Sequence, residues 1–225
     1  MHDTATLTTS GPHAPVNPSG DLPPAAVAAL ATATALLGGL VLGVGSQVLQ
    51  GLLPGAWVVV ANSGVAWAIG AFAIGTLMPS ARAAVFGGAT ALVLASFSFY
   101  WAVEWFEGYA SGIRGPLVWS AAGLVAGPAF GLAGRIVRTR PDLRWLALAP
   151  VAGILVGEGA ILVWFVGVDD LWPAGLVELL AGAALTALCA WRDRRPLVVL
   201  GIVAAAIVVH HLAYDAINVG FLIRQ

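Results

Sequence analysis

The sequence contains no lysine and only one cysteine, Cys189. Without lysine there can be no Schiff-base chromophore of the retinal type. A lone cysteine excludes an internal disulfide and a thiolate metal cluster, and leaves Cys189 as inert helix filler. Charge is scarce too: Asp, Glu, Lys and Arg make up 9% of the residues against 60% hydrophobic ones, and the mean hydropathy is +0.92. A soluble domain carries roughly a quarter charged residues, so this chain cannot surround itself with a water-facing shell. Nucleic acid is not an expected partner; membrane lipids are.

What is present is apolar sequence in long runs. A helix needs about 20 mainly apolar residues to cross the hydrocarbon, and seven such runs nearly use up the 225 residues. The expected fold class is therefore all-α, a polytopic membrane bundle of about seven helices with no room for a soluble catalytic domain. Residues 1–23, rich in Ser, Thr, Pro and Gly, read as a disordered tail with no basic segment of a secretory signal. Residues 24–225 form the membrane domain. Its spans are expected at Pro24–Leu49, Trp57–Leu77, Ala83–Phe106, Pro116–Val137, Trp145–Val166, Pro173–Trp191 and Pro196–Phe221, with a kink at Pro150. Gly39 and Gly43, and Gly123, Gly127 and Gly131, are spaced by four, a pattern that lets helix backbones approach inside a bundle.

Ionisable residues within spans are costly and point to function. At about 1.5 Å per residue, Glu104, Glu158, Glu178, His210, His211, Asp215 and Asn62 all fall in the half of the bilayer away from most arginines. Trp57, Trp101, Trp105, Trp119, Trp164 and Trp172 map to the same half, with Trp67 near the middle. This asymmetry implies a cavity lined by acids and indoles. His211, Asp215 and Asn218 share a helical face flanked by Tyr214, and Trp101, Glu104 and Trp105 form another stripe. Asp169-Asp170 lacks the further acids of a magnesium-holding prenyl-diphosphate site. Ser63-Gly64 lacks the preceding glycine of an intramembrane serine protease, and the helical histidines His210 and His211 are neighbours rather than a facing pair for haem.

Several segments are distinctive: Gln50-Gly51-Leu52-Leu53-Pro54-Gly55-Ala56-Trp57, Ala61-Asn62-Ser63-Gly64 with Trp67, Pro116-Leu117-Val118-Trp119, and Ala126 through Gly134. Through them the chain resembles, over roughly residues 35 to 195, a family of small actinobacterial membrane proteins of unassigned function. In architecture it also resembles membrane-bound meroterpenoid cyclases, including those of drimentine-type indole sesquiterpenes. That second resemblance implies a membrane-embedded Glu and an Asp on the last helix, positions held here by Glu104 and Asp215.

The leading expectation is a protonation-initiated terpene cyclase acting on a lipid-soluble farnesylated aromatic such as an indole. It needs a carboxylic acid that stays protonated, a state apolar burial favours. Asp215 or Glu104 would deliver the proton, and His211 or Glu158 would take the final one. Asn62, Trp67, Tyr100, Trp101, Trp105, Trp119, Trp164, Glu178 and Tyr214 would line the substrate site, the aromatic faces stabilising a cation. No metal or organic cofactor is required. The alternatives are a proton-coupled small-molecule carrier or binding protein using the same carboxylates, and a structural membrane subunit.

Arginine placement predicts the topology. Arg82, Arg135, Arg138, Arg140, Arg144, Arg192, Arg194 and Arg195 border the even-numbered loops, whereas the odd-numbered loops hold only Arg114. By the positive-inside rule the even loops and the N-terminus are cytoplasmic and the C-terminus external, in the cell membrane. Reporter fusions after Arg140 and Arg194 should read cytoplasmic, and one after Asp170 external; the reverse pattern would invert the assignment.

Overall fold

The computed structural model describes residues 22–108, 110, 112–164 and 170–222, with side chains as far as 217. The expected tail therefore lies almost wholly outside the described residues. Eight α-helices follow one another: α1 Pro24–Leu52, α2 Trp57–Ala61, α3 Gly64–Leu77, α4 Ala81–Glu107, α5 Arg114–Thr139, α6 Arg144–Trp164, α7 Trp172–Arg192 and α8 Pro196–Leu222. A 3-10 turn, Pro141–Leu143, leads into α6. Seven segments are long and apolar enough to cross a membrane, with α2 and α3 together making the second. The protein is an all-α, multi-pass membrane bundle.

Local chemistry explains most boundaries. Proline opens α1, α7 and α8, where its missing N–H costs nothing. Ser80 Oγ accepts from Ala83 N–H at 3.1 Å to cap α4, and Gly108, at φ 73, ends it in the left-handed conformation. Pro128 and Pro150 lie inside α5 and α6, which continue through them. One expectation needs correction. The second span is not a single helix from Trp57 to Leu77 but is broken at Asn62-Ser63. Ser63 takes extended backbone angles, and its Oγ accepts from Ala66 N–H at 2.9 Å, so the serine caps a new helix instead of continuing the old one.

The helices pack as two groups. In one, α4 lies against α1, α3 and α5; in the other, α6 packs on α7 and α8. The groups meet where α3 and α5 touch α6, with smaller contacts of α2 with α7 and α5 with α8. Helices α4 and α8 do not touch among the described residues. Core side chains at the junction include Val65, Trp67 and Ala68 of α3 with Val151 and Ile154 of α6.

Small residues make the close approaches, as expected of the glycine spacings. Gly39 and Gly43 of α1 face the α4 backbone at Ala91 and Ala95, and Gly127 of α5 lies against Gly88 of α4. Gly131 is pressed between the backbones of Gly75 on α3 and Ala84 on α4. Without a strong hydrophobic drive between helices in lipid, such backbone contact is the main source of packing energy.

At the arginine-rich end, side chains tie one element to another. Arg138 donates to Thr76 O at 2.7 Å and Arg135 to Pro79 O at 2.9 Å, meeting carbonyls that the end of α3 leaves open. Arg195 donates to Asp193 Oδ1 at 3.1 Å and reaches Asp142 O at 3.4 Å. The hydrogen bond from Arg195 holds the Asp193 carboxyl below its ordinary value. The stabilisation it adds is present above the ordinary aspartate range and is lost as pH falls through the lowered value.

A side chain at Gly131 should be far less tolerable than one on the outside of α1. Gly131→Val should lower detergent thermal stability by about 1–3 kcal/mol, the usual cost of overpacking. Gly45→Ala, with nothing within 4 Å of the added methyl, should leave the unfolding midpoint unchanged or raise it. Equal midpoints for the two variants would refute the three-helix contact at Gly131.

Candidate functional site

The break in the second span leaves the first N–H groups of α3 without partners inside the helix. In hydrocarbon no water can satisfy them. Ser63 takes one. The other two are taken from another span: Gly64 N–H donates to Glu158 Oε1 at 3.1 Å and Val65 N–H to Glu158 Oε2 at 2.8 Å. Glu158 on α6 is buried, and its carboxyl group sits at the positive end of the α3 dipole.

Two other polar side chains complete the cluster. Glu178 of α7 is 5% exposed, lies within electrostatic reach of Glu158, and has no hydrogen-bond partner on either oxygen among the described residues. A methyl at Gly159, the residue after Glu158, would fall 2.5 Å from the nitrogen of Leu179, the residue after Glu178. The helices are therefore in backbone contact beside the two acids. His210 of α8 approaches from a third side. Its ring lies near both Gly64 and Gly157, and its Nε2 is buried without a partner among the described residues. Glu158 is 14 residues beyond Arg144, His210 is 14 beyond Pro196, and Glu178 is 6 beyond Trp172. At the helical rise, both measures place the cluster about 9 Å below the end opposite the arginines in spans of roughly 30 Å. The site lies where the two helix groups meet. Among the described residues, no group of three or more His, Cys, Asp or Glu side chains could hold a metal ion.

Residues 23–220 match a family of unknown function (DUF6518), and the chain belongs to that family. No curated protein and no solved structure matches. The family match extends past both ends of the region carrying the quoted motifs and takes in Glu158, Glu178 and His210. It lends nothing to the meroterpenoid-cyclase resemblance.

The expected site residues divide between this cluster and the perimeter. Glu158 and Glu178 are in the cluster, and half-buried Asn62 is at the helix break. Glu104 and Asp215 are exposed on α4 and α8, which share no contact among the described residues, so the packing does not bring these two acids together. Glu104 instead borders an open groove of about 310 Å³ with Phe97, Tyr100, Trp101 and Pro116. Trp101 and Trp105 stack on each other at 5.8 Å on the outside. Trp57, Trp164, Trp172 and Tyr214 are exposed as well. Trp67, which is buried, and Trp119, which is half-buried, pack inward at 6.3 Å from each other, and half-buried Tyr100 packs on the same core. Exposed indoles at one membrane surface fit an interfacial belt, which accounts for these tryptophans without an indole-lined cavity. His211 is half-buried with Nδ1 at 3.3 Å from Ile207 O. The side chain of Asn218 and residue Asp169 lie outside the described residues.

His210 is the member of the cluster that the helical-phase argument passed over for His211. Its signal was present in Val203, Ala206 and His210, a stripe of spacing three and four that faces Gly153 and Gly157 of α6. The helix break had one too, since Asn-Ser-Gly within an apolar run has the chemistry of a cap.

The two acids should respond in opposite ways to removal. Glu178→Met replaces a buried, partnerless carboxyl with an apolar side chain of similar size, and should stabilise the protein in detergent by about 1–3 kcal/mol. Glu158→Met strands two buried N–H groups and should destabilise by about 1–3 kcal/mol for each. Thermal unfolding of both variants checks this; a loss of stability in Glu178→Met would mean that the carboxyl has a structural partner.

Proposed function

We propose that this protein is a proton-coupled carrier of a small molecule, with Glu158 and Glu178 as its proton site. The observation that supports it is the buried, partnerless Glu178 beside a Glu158 that caps a broken transmembrane helix. Two carboxylates in a water-poor site repel when both are charged, and no cationic side chain is among their described contacts. A proton on one of the acids relieves that repulsion, and gaining or losing a second changes the charge of the site. Natural proteins retain such a costly arrangement where protonation is part of the mechanism.

The location also favours transport. Discontinuous helices at the interface between two moving units are a recurring design for solute sites in membranes. Here the α3 N-terminus belongs to one helix group and the acids Glu158 and Glu178 to the other. Motion of α6–α8 against the rest would separate Glu158 from its N–H donors and tie the state of the site to the conformation of the protein. In the orientation that the arginines imply, the site opens nearer the external face. The cyclase expectation gave the proton to Asp215 or Glu104, both of which are exposed, whereas the carrier reading draws on Glu158 and Glu178, which are buried.

Purified protein in vesicles loaded with a pH-sensitive dye tests this. When a panel of small solutes is applied as gradients, at least one should drive proton movement. Glu158→Gln and Glu178→Gln should reduce that signal to the level of empty vesicles. If no solute moves protons while the same preparation cyclises a farnesylated aromatic, the carrier reading is overturned in favour of the enzyme.

A further inference from the structure

The first two N–H groups of α3 already hold a carboxylate, and that carboxylate comes from another span. We infer that this N–H pair is the binding site of a small monovalent anion, with Glu158 as its internal stand-in, so that protonation of Glu158 hands the pair to the anion. The inference rests on the proton-site reading above and names the class of solute that such a carrier would move.

Three observations carry it. First, α3 is a 14-residue helix whose Gly64 and Val65 N–H groups converge on Glu158 at 3.1 and 2.8 Å. Helix N-termini bind anions through this combination of free donors and dipole. Second, Glu178, 5% exposed and without a hydrogen-bond partner among the described residues, directly precedes Leu179, whose backbone meets α6 at Gly159, the neighbour of Glu158. A second carboxyl there has no structural use, whereas as a proton donor to Glu158 it has one. Third, the space is small. A methyl on Gly64 would lie 3.2 Å from Glu158 Oε2 and 3.4 Å from His210 Cε1, and one on Gly157 would lie 3.2 Å from His210 Cδ2. Withdrawal of the Glu158 head frees room for a group of about carboxylate size, which suits halide, nitrate or formate.

Charge is conserved in the exchange. At rest the site holds one negative charge, on Glu158, with a proton on Glu178. When one more proton arrives and the anion enters, both acids are neutral and the anion carries the single charge. Proton and anion therefore enter together as a neutral pair, and anion binding tightens as pH falls. The titratable groups facing Glu158 are Glu178 from α7 and His210 from α8, with His211 next along. Helices α2 and α3 have no titratable residue, α5 has only Arg114, Arg135 and Arg138 near its ends, and α6 itself has only Arg144 at its start.

The test uses the full-length protein in detergent, with nitrate, formate and bromide titrated by calorimetry at mildly acidic and mildly alkaline pH. Wild-type affinity should rise towards the acid side, by up to about tenfold per pH unit for one linked proton. Glu158→Gln and Glu158→Ala should bind at alkaline pH and show a shallower slope. Should those variants fail to fold, the Gly64 amide signal of ¹⁵N-glycine-labelled wild type gives the same answer: it should shift on adding nitrate at acidic pH only. A flat wild-type pH profile, an unchanged slope in the Glu158 variants, or a Gly64 signal that does not respond would overturn the anion site. If all three anions fail while another solute drives proton movement through Glu158 and Glu178, the anion proposal falls and the carrier reading stands. If the anions bind as described but no solute, these included, moves protons in vesicles, the site stands and the carrier reading falls.

Discussion

Two backbone N–H groups, Gly64 and Val65, must find acceptors where no water is available, and the Glu158 carboxylate is what they find. An unbroken helix in the second span would need no such partner, since each N–H would bond four residues back. Once Asn62 and Ser63 interrupt it, the span depends on a side chain from the other helix group. Glu158 in turn depends on the helix end, because a bare carboxylate at that depth would be costly. Each makes the other tolerable, and the contact crosses the junction between α1–α5 and α6–α8.

That mutual dependence explains why Glu178 is the informative residue. With Glu158 satisfied, nothing in the packing of α6 on α7 calls for a second acid, and the glycines at 159, 175 and 182 already bring the helices into close contact. A leucine or methionine at position 178 would serve that packing better. A buried acid with no partner is destabilising, and a role as the proton site of the proposed carrier would account for it where packing does not.

The fold was readable from composition and hydropathy because crossing a bilayer demands long apolar helices and little else. The arginine-bordered loops were readable for the same reason, and Arg135, Arg138 and Arg195 turn out also to satisfy backbone carbonyls at that end. The candidate site was legible only in part. Glu158 and Glu178 were marked by depth, yet Glu104 and Asp215 ranked above them because they had aromatic or polar neighbours along their own helices. The cause of the error is physical. In a soluble protein an aromatic stripe seeks the core, whereas in lipid the close helix contacts are made by small residues and an aromatic stripe can face the hydrocarbon. On α4 the inward face carries Ala84, Gly88, Ala91, Ala95 and Ala102 together with Leu92, Phe99 and Val103, and Trp101, Glu104 and Trp105 are left on the perimeter.

The same inversion identifies where to look for function in a bundle of this kind. Tryptophans positioned by the interface report where the membrane surface lies, and glycines report which helices touch. Neither requires a ligand. An acid that packing does not need, placed beside a helix end that packing does not explain, is a different kind of signal. The N–H donors of α3 come from one group, Glu158 and Glu178 from two helices of the other, and His210 from a third. An arrangement assembled from four helices across a junction is sensitive to any displacement of one group against the other. In the proposed carrier, proton occupancy and helix position would be coupled through the same two hydrogen bonds, at Gly64 and Val65.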